Sequence, residues 1–280
     1  MNFRTSLIAR ILFAIPILLV NLITLLNLAI LHLVLLTHDL DQTESLIKSV
    51  LVYFWVFTGM IAYFKAYTSD PGSIPLEFDM LSDSHKEFLP ESEYGKLKNF
   101  VCVSFCLKCE RSRPARSHHC IICGKCVMRQ DHHCPWVGNC VGIHNTRYFL
   151  QFIFYALLTT SVLNGTCSRL LLAGQAKTLW VTGGFFLTLA LFVMLWVLLT
   201  YHIWMITLNT NTIELTFHQD RSEFDFGWKT NLAEVLGEDW LGYFLPYSIR
   251  RKKEGVGYVF PVRIENELGE MVYFNNKVLI

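Results

Sequence analysis

The sequence predicts an α-helical integral membrane protein. It should have four transmembrane helices, a cytosolic two-zinc cysteine-rich domain between helices 2 and 3, and a small cytosolic C-terminal tail. Three observations predict this. Hydrophobic residues make up 52% of the 280 and come in blocks, and the mean hydropathy is +0.36, too apolar for an ordinary soluble domain. Seven of the nine cysteines lie between Cys106 and Cys140 at repeating spacings. Lys and Arg are shared unevenly among the loops. The formal charge of +1 says nothing about nucleic acid, and no basic run is long enough for that reading.

The first apolar run, about Ile11–Leu36, is too long for a signal-peptide core and has no small-residue cleavage site, so it reads as a retained helix. The second, about Ile47–Phe64, is the weakest, with Lys48 able to snorkel at its end. The third and fourth run about Tyr148–Ala173 and Leu179–Leu208. Each reaches or approaches the roughly 20 residues that cross about 30 Å of hydrocarbon. Thr37–Ser45 carries Asp39, Asp41 and Glu44 but no cation, and the loop after the third run holds only Lys177. Arg4 and Arg10 precede the first run. Lys65–Arg147 and the tail after Asn209 hold nearly all the other cations. The positive-inside rule therefore puts both termini and the large loop in the cytosol. The expected divisions are 1–68 (helices 1 and 2), 69–146 (loop, with its zinc core at 102–146), 147–208 (helices 3 and 4) and 209–280 (tail). Asn164-Gly165-Thr166 matches a glycosylation acceptor but lies inside the third run. Asn21, Asn27, Gln151 and Asn164 are expected to hydrogen-bond between helices.

The large loop carries the chemistry. Cys106, Cys109, His119 and Cys126 map onto Cys120, Cys123, His133 and Cys140 under a shift of 14, and both sets read C-x2-C-x9-H-x6-C. Three thiolates and an imidazole are the donor set of a closed structural zinc site, and in a reducing compartment metal is favoured over disulfide. His118 and His132 are also 14 apart, so periodicity alone leaves open which histidine of each pair binds. Cys102 and Cys167 fall outside the pattern, Cys102 reading as a packed thiol.

Cys134 is needed by neither set. It sits in Asp131-His132-His133-Cys134, beside a histidine that can take its proton and an aspartate that can orient that histidine. Pro135 restricts Cys134 to extended geometry, and Trp136 offers apolar surface suited to a bilayer interface. The third apolar run begins 14 residues after Cys134. A thiol held there can meet an acyl chain or a cysteine on a lipid-anchored protein, and two-step transfer through a thioester fits both.

In the tail, Phe224–Phe244 mixes Trp228, Leu232, Val235 and Trp240 with polar residues, a pattern for helix lying on the membrane face. Arg250–Lys253 suits anionic headgroups or solvent equally. Tyr258–Ile264 and Met271–Phe274 flank Glu267-Leu268-Gly269-Glu270 and suggest a hairpin.

Cys106–Cys140 resembles the cysteine-rich domain of the DHHC-type protein S-palmitoyltransferases. The match is closest from Asp131 through Cys134-Pro135-Trp136 to Cys140-Val141-Gly142. Asp70-Pro71-Gly72 is similar to the family's DPG motif, and Gly227–Asn231 to its C-terminal motif around Asn231. The family's Thr-Thr-x-Glu motif reads Asn211-Thr212-Ile213-Glu214 here. Asparagine can still hydrogen-bond, so the packing role of this motif, through Thr212 and Glu214, is expected to persist. The resemblance covers about Ile11 to Trp240. It implies that His119 and His133 are ligands, with two structural zinc ions held by the two sets. It further implies that Cys134 attacks palmitoyl-CoA, with His132 as base and Asp131 as its orienter, and that a protein cysteine collects the acyl group. The implied setting is the bilayer of eukaryotic endomembranes, Golgi or endoplasmic reticulum. Lys125, Arg129 and Arg147 are candidates for the CoA phosphates. A 16-carbon chain spans very roughly 20 Å, about 13 helical residues, which places an acyl-cavity floor near Thr159–Ser161, with Trp136 at the mouth.

Two other readings are open. A membrane-anchored RING-like ubiquitin ligase also uses paired zinc sites, but its ligand order differs and it leaves Cys134 unexplained. A non-catalytic zinc-knuckle scaffold or transporter would need no nucleophile. The third and fourth runs contain no Lys, Asp or Glu to line a charged path.

Overall fold

The computed structural model describes residues 7–37, 41–74, 102–175, 179–217, 224–247, 262–265 and 271–274. Among the described residues four helices are long and apolar enough to cross a membrane: α1 (Leu7–Thr37), α2 (Gln42–Thr68), α3 (Thr146–Leu172) and α4 (Leu179–Thr207). Helix α2 starts earlier than its apolar run. The reason is a cap: Asp41 Oδ1 accepts the Glu44 N–H at 2.9 Å, satisfying an orphan amide of the first turn. Glu44 then pairs with Lys48 at 2.7 Å and with Arg169 of α3 at 2.9 Å. Lys48 also donates to Thr166 Oγ1 at 3.2 Å, so the polar turn that extends α2 also fastens it to α3.

Helix α3 is the centre of the bundle, packed against α2 and α4. Gly59 permits the α2–α3 approach, since a Cβ there would lie 3.0 Å from Tyr155 Cβ. Away from the zinc domain, Ile30, Leu31, Val52, Leu163, Cys167 and Val181 form a cluster drawn from all four helices. Two of the four polar residues in the spans bond as expected. Asn164 Nδ2 reaches Phe185 O of α4 at 3.3 Å, and Gln151 Nε2 donates to Gly242 O of the tail at 2.8 Å. Asn21 and Asn27 correct the expectation. They donate to Ile17 O and Ile23 O one turn back on their own helix, at 2.8 and 2.7 Å.

Between α2 and α3 the described residues form three antiparallel hairpins: β1 (Cys102–Cys106) with β2 (Arg111–Pro114), β3 (Ser117–Cys120) with β4 (Lys125–Met128), and β5 (His132–Cys134) with β6 (Asn139–Val141). After α4 come α5 (Thr212–Thr216), α6 (Trp228–Leu236) and α7 (Leu241–Phe244), then a hairpin of β7 (Val262–Glu265) and β8 (Met271–Phe274). Helix α7 lies against α3, where the Tyr155 hydroxyl donates to Phe244 O at 3.1 Å and Arg147 donates to Leu245 O at 2.9 Å. Trp228, Trp240 and Phe244 remain exposed on the tail. Arg4, Asp39, Lys177, the basic run at 250–253 and residues 258–261 of the expected hairpin lie outside the described residues.

Candidate active site

The 14-residue repeat of the sequence is a hairpin built three times. Phe105 pairs with Ser112, His119 with Cys126 and His133 with Cys140. One step inward, Cys106 pairs with Arg111, Cys120 with Lys125 and Cys134 with Asn139. The turn of each hairpin contains a left-handed residue at the same phase: Glu110 (φ 53°), Gly124 (φ 67°) and Gly138 (φ 66°). Cys106, Cys120 and Cys134 are therefore structural equivalents.

The first two of these cysteines join tetrads. Cys106 and Cys109 from the first turn meet His119 and Cys126 of the second hairpin. Cys120 and Cys123 from the second turn meet His133 and Cys140 of the third. Each histidine presents Nδ1. His119 Nδ1 lies 3.6, 3.2 and 3.8 Å from the sulfurs of Cys106, Cys109 and Cys126. His133 Nδ1 lies 3.7, 3.4 and 3.6 Å from those of Cys120, Cys123 and Cys140. Zinc bonds of about 2.0–2.3 Å at a tetrahedral angle put neighbouring donors roughly 3.5–3.8 Å apart. Both tetrads fit structural zinc, and all eight donors come from protein, leaving no open position for water. Cys102 lies in β1 opposite Pro114.

The third turn finds no following hairpin to supply a histidine and a cysteine. Cys134 is buried, two residues after His132 in β5. His132 Nδ1 lies 2.5 Å from Asp131 Oδ2, which leaves Nε2 for the thiol. Burial alone would lower the His132 pKa. The hydrogen bonds to Asp131 and Cys134 outweigh it and raise the imidazole to about 9. Asp131 is the mirror case. Burial would raise it, but the bonds from His132 and Thr212 hold the carboxyl below its ordinary value.

The tail fixes this carboxylate. Thr212 gives its N–H to Asp131 Oδ1 at 2.8 Å and its hydroxyl to Oδ2 at 3.1 Å. Asn211, where the motif departs from Thr, caps α5 by accepting the Glu214 N–H at 2.9 Å. Glu214 forms a bidentate pair with Arg116, both distances 2.8 Å and both side chains fully buried. Arg116 also reaches Asn209 Oδ1 at 2.9 Å and stacks over Phe224. Removing one partner of such a pair typically costs about 3–5 kcal/mol. Asn231, fully buried, donates to Thr207 O at 2.8 Å and so closes the end of α4.

On the other side, α2 anchors the zinc domain. Asn139 Nδ2 donates to the carbonyls of Ala66, Tyr67 and Ser69, the orphan acceptors at the α2 C-terminus, at 2.9–3.1 Å. Asn145 Nδ2 bridges Ala66 O and Cys140 O. In the Asp70-Pro71-Gly72 turn, Gly72 O accepts the Met128 N–H at 2.8 Å. Gly72 has φ 108°, and a Cβ on it would lie 2.7 Å from Ile143. Burial opposes ionisation of Asp70, but His144, Ser73 and Lys125 hold its carboxyl below the usual range. Cys134 itself belongs to an apolar cluster with Tyr63, Val137, Phe149, Leu150, Ile153 and Ile206, so the thiol sits where the zinc domain meets the helices.

The remaining expected residues fall differently. Trp136 is 52% exposed at the tip of the third turn, its carbonyl held by the Tyr63 hydroxyl at 3.0 Å. Thr159 is buried in α3. Arg129 and Arg147, candidates for the CoA phosphates, are buried. Arg129 pairs with Glu234 at 3.5 Å, and Arg147 holds Leu245 and stacks on Tyr247, because both are needed to dock the tail. Lys125 keeps an exposed ammonium, 3.4 Å from Asp70. Sequence reasoning missed Arg116, Asn139, Asn145, Phe149 and His202. Asn139 had a signal, since it is a polar residue inside the closely matching run from Asp131 to Gly142. The others act through partners distant in the chain.

The family description "DHHC palmitoyltransferase" matches residues 102–219. Probable protein S-acyltransferase 13 of Arabidopsis thaliana is 30% identical over 256 residues, 83% of this chain and 84% of that protein. Palmitoyltransferase ZDHHC20 of Bos taurus is 30% identical over 259 residues, 81% of this chain and 70% of that one. Palmitoyltransferase ZDHHC20-A of Danio rerio is 28% identical over 253, covering 80% and 70%. The chain belongs to the DHHC palmitoyltransferase family.

Proposed function

We propose that this member of the DHHC palmitoyltransferase family is a protein S-acyltransferase. In this reading it moves a long-chain acyl group from acyl-CoA to protein cysteines through a Cys134 thioester. The observation that carries the reading is the Asp131–His132 pair, a 2.5 Å contact, with the buried Cys134 thiol two residues further on in the same strand. His132 takes the Cys134 proton, and the sulfur attacks the thioester carbonyl of acyl-CoA. A new carbon–sulfur bond forms, the bond to CoA breaks, and His132 returns the proton to the departing CoA sulfur. A substrate cysteine then repeats the sequence in reverse, giving its proton to His132 and releasing Cys134. Asp131 keeps the imidazole in the tautomer that presents Nε2 to the thiol. Cys106, Cys109, His119 and Cys126 would hold one zinc, and Cys120, Cys123, His133 and Cys140 the other. These ions supply rigidity, since neither tetrad has an open position.

The apolar cluster around Cys134 continues into α2, α3 and α4, which suits an acyl chain entering the bundle. Thr159→Tyr should shift the acyl-CoA preference toward shorter chains, and an unchanged chain-length profile removes this residue from the cavity floor. Lys125 suits a CoA phosphate, and Trp136 suits the lipid interface. The charge asymmetry of the loops supports a cytosolic zinc domain on an endomembrane. Intact mass after palmitoyl-CoA treatment tests the central step. Wild type should gain an adduct that neutral hydroxylamine removes, and Cys134→Ala should gain none while keeping both zincs. A folded, zinc-loaded wild type without an adduct would overturn the reading.

A further inference from the structure

The relay has a neighbour that belongs to a membrane-spanning helix. His202 of α4 is only 5% exposed. Its Nδ1 lies 3.9 Å from Asp131 Oδ2, the same oxygen that faces His132 and the Thr212 hydroxyl. Its ring stands edge-on to Phe149 at 5.2 Å and 85°, and lies 5.8 Å from the His132 ring at a 30° tilt. Phe149 in turn stands edge-on to His132 at 5.4 Å and 69°. The three rings thus form a closed contact, with the carboxylate on one side. Neither Cys/His tetrad includes His202.

We propose that His202 is a positioning residue for the acyl-transfer reaction, turning an N–H toward Asp131 so that the carboxylate keeps its orientation on His132 while the proton moves. This rests on the Cys134 reading above. A buried carboxylate needs every donor it can reach, because each missing one leaves charge unsatisfied in a low dielectric. His132 offers Asp131 one donor and Thr212 offers two. His202 of α4 adds a further polar group on the Oδ2 side, at 3.9 Å. At 3.9 Å the contact is electrostatic. Catalytic hydrogen bonds are commonly long before substrate binds and tighten in the reactive complex. Phe149 fixes both imidazoles at once, so movement of either ring is felt by the other. The arrangement also links the membrane helix to the reacting thiol through a single carboxylate.

The test uses full-length protein in lipid nanodiscs. Single-turnover formation of the hydroxylamine-labile adduct is followed against palmitoyl-CoA concentration, with zinc content measured in parallel. His202→Phe keeps the ring contact with Phe149 and removes the N–H. His202→Asn puts a donor back at the Nδ1 position. The Phe variant should lose about tenfold in limiting rate, the size of one hydrogen bond to a charged group. Its half-saturating concentration and its two zincs should stay unchanged, and the Asn variant should recover most of the rate. In a Thr212→Val background the Phe substitution should cost less than it does alone, because both act on one carboxylate. A wild-type rate in His202→Phe, equal losses in the Phe and Asn variants, or a loss seen only as weaker saturation would each overturn the role. If His202→Phe does not fold, His202→Leu against His202→Asn decides on the same criteria. Absence of an adduct in wild type would sink the Cys134 reading itself, whereas a wild-type adduct matched by the Phe variant sinks only the role of His202.

Discussion

Hairpins β3–β4 and β5–β6 have nearly the same backbone and opposite chemical fates. Ser117-His118-His119-Cys120 occupies the place in one that Asp131-His132-His133-Cys134 occupies in the other. In both, the third residue of the run gives Nδ1 to a metal tetrad. In both, the cysteine opens a turn whose amide closes back onto its carbonyl, Gly124 N to Cys120 O at 2.8 Å and Gly138 N to Cys134 O at 2.9 Å. Two differences separate them. Cys123 follows Cys120 at C-x2-C spacing, while Val137 stands at that place after Cys134. Ser117 is replaced by Asp131, and that carboxylate recruits the second histidine of its run, His132. In the proposed reading, the comparison teaches that a nucleophilic thiol can be made from a ligand position by withholding the rest of the metal site. The two neighbouring sites then hold its backbone still.

The sharpest way to break the comparison is to exchange the fates. Cys120→Ser removes a donor worth a share of the about 10–16 kcal/mol that structural zinc contributes in small domains. It should lower bound zinc below two per chain, expose the 102–146 segment to protease and abolish acylation. Cys134→Ala, its structural equivalent, should leave zinc and protease resistance at wild-type levels. Equal zinc loss in the two variants would mean that the third turn is also a metal half-site.

Asp131→Ser puts the first residue of β3 at the equivalent position just before β5. It leaves His132 without its carboxylate and should slow adduct formation by about 10²-fold or more, with zinc retained. Thr212→Val is milder, because the backbone N–H to Asp131 Oδ1 survives and only the 3.1 Å hydroxyl contact is lost. A loss of about tenfold or less is expected. Single-turnover rates rank the two, and a reversed order would show that the tail, rather than the Asp–His pair, sets the reactivity of the third turn.

What could be read from the sequence follows from where the information sits. The four spans and the tetrads are written in contiguous or regularly spaced residues, so hydropathy and a 14-residue period expose them. Asp131, His132 and Cys134 are neighbours in the chain, and their relation needs no fold to be suspected. Helix α2 began before its apolar run because a capping aspartate and an ion pair extend a helix past the hydrophobic pattern. Arg129 and Arg147 read as surface cations because a lone arginine in a polar loop carries no sign of its burial. Their partners, Glu234 and Leu245, are more than ninety residues away. His202 and Arg116 are hidden for the same reason, since each acts on a residue brought close only by the tail or by α4.

The smallest expected effect concerns the left-handed residue that all three turns share. The first turn uses Glu110 at φ 53°, the second and third use glycine at φ 67° and 66°. A residue with a Cβ in this region costs about 1 kcal/mol, so Glu110→Gly should raise the thermal midpoint slightly and Gly124→Ala should lower it. Gly138→Ala should cost more than Gly124→Ala. Beyond the backbone strain, its Cβ would lie 3.1 Å from Ile17 Cδ1 of α1 and 3.5 Å from the Tyr67 ring of α2. The neighbours must shift by a few tenths of an ångström, and they belong to the helices against which Cys134 is held. Gly138→Ala should therefore slow acylation as well as lower the midpoint, whereas Gly124→Ala should lower the midpoint alone. Matching acylation rates in the two variants would mean that the third turn is held by its zinc-bound flanks alone, without help from its packing on α1 and α2.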